Sequence, residues 1–123
     1  MTAAARLKAW RRGLSAEALC VLHLRLRGYR VLARRLRTPM GEIDILALRG
    51  GALAVIEVKA RAGAAAAAEA VSPRQRARIA RAAAWILGQR PELASRALRF
   101  DAMLVTPWRL PRHLTDAWRP DDK

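Results

Sequence analysis

The sequence predicts an α/β domain with a mixed central sheet and helices packed against it, and three observations carry that prediction. The elements read in the order helix, three strands, helix, then one or two further strands. Apolar runs of strand length recur around residues 42–48, 53–60 and 98–105. The segment joining the third and fourth strands has the length of a helical crossover, which makes those strands parallel and their connection right-handed. A chain of 123 residues suits one domain, which buries roughly two-thirds of its unfolded surface and needs no structural metal or disulfide.

Each element has its own local warrant. Residues 1–9 read as a mobile basic leader, 10–119 as a single domain and 120–123 as a tail. Residues 11–26 are rich in Leu and Ala and read as a helix that stops at Gly28. Residues 29–36 form a basic edge strand, and Thr38-Pro39-Met40-Gly41 is a turn. Residues 42–48 and 53–60 are strands joined by Gly50-Gly51, the signature of a hairpin. Residues 62–70 are nearly all alanine and read as a low-complexity loop with some helical tendency. Ser72, Pro73 and Gln75 mark a helix start, as N-cap, first helical residue and capping-box partner. That helix runs to about Leu87 and stops at Gly88. Residues 98–105 form a fourth strand, and a short fifth is expected near residues 113–118.

Charge narrows the function classes. Twenty-four Lys and Arg against ten Asp and Glu give a formal +14. So large a surplus on a small body implies a polyanionic partner, nucleic acid before an anionic membrane. A hydrophobic content of 53% excludes a disordered basic tail. The predominance of arginine, 21 against 3 lysines, reads as coding bias. A single cysteine, Cys20, excludes a disulfide framework and a cysteine zinc site and fits a reducing cytoplasm. No apolar run reaches the ~18 residues of a membrane span, and the N-terminus lacks a signal-peptide pattern. A cytoplasmic protein without a membrane partner is expected.

The few acids are placed unusually. Residues 1–41 hold ten Lys and Arg and one acid, Glu17, whereas Glu42, Asp44 and Glu57 follow closely, with Lys59 just behind. Asp44 interrupts the apolar run Ile43-Asp44-Ile45-Leu46, and Glu57 and Lys59 share one face of a third strand otherwise built from Val55, Ile56 and Val58. Charges inside apolar strands are costly unless paired or metal-bound. Two carboxylates on neighbouring strands suit Mg²⁺, with the Val58 carbonyl and waters completing an octahedron, and Mn²⁺ as a substitute. The chemistry this suggests is metal-dependent phosphodiester hydrolysis, with Lys59 orienting or deprotonating the water or stabilising the pentacovalent oxyanion. A Glu57–Lys59 ion pair on an exposed face, with Asp44 ending a hairpin, is the alternative.

Gly41-Glu42-Ile43-Asp44 followed by Val55-Ile56-Glu57-Val58-Lys59, thirteen residues from Asp to Glu, resembles the PD-(D/E)XK nuclease superfamily. More closely, the chain resembles the YraN family of small bacterial proteins, related in fold to archaeal Holliday-junction resolvases. The resemblance spans about residues 13–118 and includes Gly13, Glu17, Gly28-Tyr29, Arg99-Phe100-Asp101 and Asp116-Ala117-Trp118. It implies a restriction-endonuclease-like αβββαβ core with Asp44, Glu57 and Lys59 at the catalytic positions. Arg35 and Arg74 depart from the family pattern, which has asparagine and lysine there. A first-helix glutamate reaches the metal site in resolvase-like relatives, and Glu17 matches it; a salt bridge to an arginine is the other reading. Some nucleases of the superfamily use a glutamine after the third strand, but the capping box already accounts for Gln75.

Arg74, Arg78, Arg81 and Trp85 form one stripe on the second helix, with Ile79, Ala83, Ile86 and Leu87 turned to the sheet. The stripe suits a phosphate backbone, and Arg34, Arg35 and Arg37 extend it. Trp85 reads as a partly buried anchor and Asp101 as the local partner of an arginine. His23 and His113 have no partner at metal-ligand spacing. The expected function is a metal-dependent DNA endonuclease acting on branched or structured DNA, as a homodimer on the analogy with resolvases. Two alternatives remain: a nucleic-acid-binding module of the same fold with little cleavage, and a small basic RNA- or ribosome-associated protein.

Overall fold

The computed structural model describes residues 15–60, 71–106 and 109–120. The expected leader, the start of the first helix at residues 11–14, the alanine segment 62–70 and the last residues of the tail lie outside them. Helix α1 spans Ala16–Leu26, with Ser15 as N-cap accepting the Ala18 N–H at 3.1 Å. Strands β1 (Arg30–Thr38), β2 (Gly41–Arg49) and β3 (Ala52–Ala60) follow, then helix α2 (Pro73–Gln89), a 3₁₀ turn (Pro91–Leu93), β4 (Ala97–Val105) and β5 (Arg112–Trp118). The sheet order is β1-β2-β3-β4-β5, antiparallel throughout except for the parallel β3–β4 pair. The mixed sheet and the element order agree with the α/β expectation and with a restriction-endonuclease-like core. No helix among the described residues is long and apolar enough to cross a membrane.

Strand alternation divides the core between two faces. Ala54 and Ile56 of β3 pack with Leu19, Cys20 and Leu24 of α1, whereas Leu53 and Val55 pack with Ile79, Ala83 and Ile86 of α2. Trp85 is partly buried against the α2 side, the anchor expected of it. One boundary differs: Gly88 does not stop α2, which runs on to Gln89. Gly88 is not among the residues with positive φ, and the helix closes through Arg90 directly before Pro91. The residue before a proline is driven out of the helical region, so Pro91 rather than Gly88 sets the end.

Alternation also breaks at Asp44. Ile43 and Ile45 lie two residues apart, yet Ile43 packs on the α2 side and Ile45 on the α1 side. The registered β2–β3 pairs run from Arg49↔Ala52 only as far as Ile45↔Ile56. The two strands therefore part where their charged residues stand.

Candidate active site

Where β2 and β3 separate, the Asp44 side chain takes over from the ladder: its Oδ2 accepts the Val58 N–H at 2.8 Å. Val58 thus reaches Asp44 through its N–H, while the carbonyl that sequence suggested as a ligand belongs to the same peptide stretch. Glu57 points to the α2 side and is 8% exposed. Its Oε1 accepts Gln75 Nε2 at 3.1 Å and lies 3.8 Å from Lys59 Nζ. Both partners are weak for a buried carboxylate, one a neutral amide and the other an ammonium beyond hydrogen-bond distance.

The two carboxylates crowd each other. Burial first, and then the Asp44 charge, push the Glu57 carboxyl up to about 7; Lys59 and Arg78 pull the other way without prevailing. Burial likewise raises Asp44, against the Val58 N–H and with the negative field of Glu17 and Glu42 adding to the rise. Beneath them Cys20 is fully buried, and desolvation together with the fields of Asp44 and Glu17 pushes its thiol up to about 12. It stays protonated, so the donors here are hard carboxylate oxygens and not a thiolate. Among the described residues no group of three or more His, Cys, Asp and Glu is arranged to hold a metal ion.

Glu17 is also 8% exposed, but both its oxygens are occupied: Oε1 accepts Arg34 Nε at 3.0 Å and Oε2 accepts Arg35 Nε at 2.9 Å. The salt-bridge reading of Glu17 is therefore the geometry present, and two of the arginines expected on nucleic acid are its partners. Arg37 is 90% exposed at its side chain and stands 3.9 Å from Glu42, its cross-strand neighbour.

Arg74, Arg78 and Arg81 line a cleft of about 500 Å³ together with Met40, Ser72 and Gln75. The cleft adjoins the carboxylates, because Gln75 belongs to both. Gly41 adopts φ +137, which strains any residue with a side chain, and a Cβ there would stand 2.9 Å from Arg78 Cδ and push the Arg78 stem aside. Sequence reasoning assigned the Gln75 side chain to the capping box. The structure corrects this: Ser72 Oγ caps the helix by accepting the Gln75 N–H at 3.2 Å, and the amide turns to Glu57 instead. The buried Glu57 carboxylate needs a donor, which the Gln75 amide nitrogen supplies, whereas the capping box would have asked only for its amide oxygen as an acceptor of the Ser72 N–H.

A second buried carboxylate was legible only as a local ion pair. Asp101, fully buried on β4, accepts Arg99 Nε and Nη2, the Asp116 N–H and His113 Nε2 at 2.7–2.9 Å. Arg99 Nη2 also donates to Tyr29 Oη at 2.6 Å, tying β4 and β5 to the segment after α1. His113, which has no metal-ligand partner in the sequence, is here a hydrogen-bond partner.

A mixed five-stranded sheet flanked by helices, with acid–acid–lysine at the separated ends of two strands, defines an α/β protein consistent with a restriction-endonuclease-like core. The profile described as "Uncharacterised protein family UPF0102" matches residues 16–105, from α1 through β4. A UPF0102 protein of Parvibaculum lavamentivorans is 62% identical over 114 residues, covering 93% of this chain and 86% of the relative. One of Paramagnetospirillum magneticum is 53% identical over 117 residues, covering 92% and 91%. The chain belongs to the UPF0102 family, also known as the YraN family.

Proposed function

We propose that this protein is a metal-dependent nuclease of the PD-(D/E)XK superfamily that hydrolyses phosphodiester bonds in DNA, with branched or otherwise structured DNA as the substrate class. The observation that carries the reading is the pair of buried, mutually repelling carboxylates, Asp44 and Glu57, which meet each other in a side-chain hydrogen bond and have only Gln75, the Val58 N–H and a distant Lys59 as further close partners. A structural pair would be neutralised. This one is short of positive charge, and the deficit is oxygen-lined, which suits Mg²⁺ or Mn²⁺.

Asp44 and Glu57 would hold the ion, with the Val58 carbonyl and waters filling the remaining positions. Glu17 would join only by releasing its arginines. When bound, such an ion would supply a water of lowered pKa and positive charge. The chain's own residues do the rest. The Val58 N–H fixes the Asp44 carboxylate, Gln75 fixes that of Glu57, and Lys59, 15% exposed at its side chain, lies beside Glu57 to steer a water or meet developing negative charge. Arg74, Arg78 and Arg81 in the adjoining cleft, with Arg34, Arg35 and Arg37 on β1, supply the phosphate contacts. Cleavage of both strands of a junction would call on a second copy. The cytoplasm, reducing enough for a free Cys20, fits such a protein.

The test is incubation with linear, nicked, flap and four-way-junction DNA, in Mg²⁺, in Mn²⁺ and in chelator. Metal-dependent cleavage abolished in Asp44→Asn is the expected result; an intact substrate panel under every condition rejects it. The second reading, a nucleic-acid-binding module with little cleavage, is supported by there being, among the described residues, no group of three or more His, Cys, Asp and Glu arranged to hold a metal ion, and DNA retention without cleavage in the same panel would favour it.

A further inference from the structure

Adjacent residues on a strand send their side chains to opposite faces. Arg34 and Arg35 nonetheless converge on one carboxylate, that of Glu17, at 3.0 and 2.9 Å. They do so because Arg35 has φ 48, a left-handed conformation rare for a long side chain inside a strand. Backbone strain of this kind persists where the surrounding structure imposes it and gathers at functional sites. Both arginines use Nε alone. Among the described residues their Nη atoms have no hydrogen-bond partner, and the side chains remain 45% and 65% exposed. Glu17 itself is nearly enclosed, its side chain 11% exposed. A buried carboxylate therefore grips two guanidiniums by their inner edges and leaves their outer edges facing solvent, side by side.

We propose that Arg34 and Arg35 form a preorganised clamp for one phosphate of a nucleic-acid strand, with Glu17 as the positioning residue that holds both guanidiniums in place. The outer guanidinium edge is the one that matches two phosphate oxygens in a bidentate pair, and two such edges together surround a single phosphate. Ordering the arginines in advance removes from binding the entropy that a free arginine would lose. The clamp lies on β1, Arg34 opposite Ile45 and so one residue from Asp44, whereas the Arg74–Arg78–Arg81 cleft lies on the α2 side. Gln75 joins the cleft to Glu57, and Arg35 lies within the field of Asp44, so each carboxylate has one of the two basic groups for a neighbour. This inference takes its ligand class from the nuclease reading but not its chemistry, since the clamp needs no cleavage and no metal.

The sign of one substitution tests it. Glu17→Gln removes a negative charge from a protein already at +14, so charge alone predicts tighter binding of nucleic acid. The clamp predicts weaker binding, by about twofold to tenfold, because a single amide oxygen cannot hold both guanidiniums. The measurement is fluorescence anisotropy in chelator with a short labelled DNA strand and with its duplex. The loss should vanish in the Arg34→Ala/Arg35→Ala background. Affinity unchanged or increased in Glu17→Gln overturns the clamp while leaving the nuclease reading to its own cleavage assay. Should Glu17→Gln fail to fold, Arg35→Ala and Arg37→Ala decide the matter. Each removes one positive charge from β1, and the clamp predicts the larger loss at Arg35; equal losses overturn it.

Discussion

Two regions of the same sheet bury carboxylates, and they are opposites. Asp101 is fully buried and receives four hydrogen bonds, two of them from one guanidinium. Burial raises its pKa, but the hydrogen bonds from His113, Arg99 and the Asp116 N–H outweigh it and hold the carboxyl below its usual range. Glu57 is less enclosed, yet burial and Asp44 push it up to about 7. Depth therefore does not decide which of the two acids holds its charge. Supply of positive partners does. The Asp101 cluster is saturated and pins β5 to the sheet; the Asp44–Glu57 pair is undersupplied with positive partners, which is what the proposed cation would relieve.

That contrast predicts its largest effect at the saturated end. Asp101→Ala leaves Arg99 and His113 facing a buried gap, and removal of one member of such a buried ionic cluster costs about 3–5 kcal/mol. Because the folded pKa of Asp101 is depressed, its contribution is present above the unfolded value of 3.8 and is lost as the pH falls through the folded value. Denaturant melts of wild type and Asp101→Ala should differ widely at neutral pH and converge in acid. A difference that stays constant with pH would mean that Asp101 contributes shape and not charge.

At the undersupplied end the expected effects run the other way. Asp44→Asn keeps an oxygen for the Val58 N–H and removes the charge that repels Glu57, so the metal-free protein should hold or slightly gain stability. Wild type should gain about 2.7 kcal/mol from Mn²⁺ at a hundred times its dissociation constant, and the variant should lose that gain. A wild-type melting temperature indifferent to saturating Mn²⁺ counts against the site. Glu57 adds a pH signature. Its folded pKa of about 7 lies above the unfolded 4.5, so the folded state holds the extra proton and stability falls as pH rises through that interval. After allowance for solvent screening the fall is on the order of 2 kcal/mol at most, and Glu57→Gln should flatten it. A wild-type profile already flat from pH 4.5 to 7 would place Glu57 among ordinary carboxylates.

The fold and the site were not equally legible. Local punctuation gave the elements away: Gly28 with φ 86 ends α1, Gly50-Gly51 turns β2 into β3, and Ser72-Pro73 opens α2. Asp44, Glu57 and Lys59 stood out because a charge inside an apolar strand needs a reason. Partner choice was not legible. The Asp101 network joins residues 12 to 70 positions apart in the chain, and no periodicity predicts such meetings. The shared grip of Glu17 on Arg34 and Arg35 depends on a positive φ at Arg35, where alternation, the rule for reading a strand, is suspended.

The smallest predicted effect separates two roles for one residue. Gln75 stands at the cap of α2 by its backbone and at the carboxylates by its side chain. Ser72→Ala removes the capping oxygen and should cost about 1 kcal/mol at any pH, because neither partner titrates. Gln75→Ala leaves that cap intact and places a good helix former in the first turn, so in acid, with Glu57 protonated, it should be close to neutral. Above pH 7 the ionised Glu57 loses the one hydrogen bond given to it, and the variant should fall below wild type by about 1 kcal/mol. Melts of both variants at pH 5 and pH 8 show which role holds. A pH-dependent loss confined to Gln75→Ala assigns its amide to the site. A loss equal at both pH values, matching that of Ser72→Ala, would return it to the helix cap and leave Glu57 with even less to hold its charge.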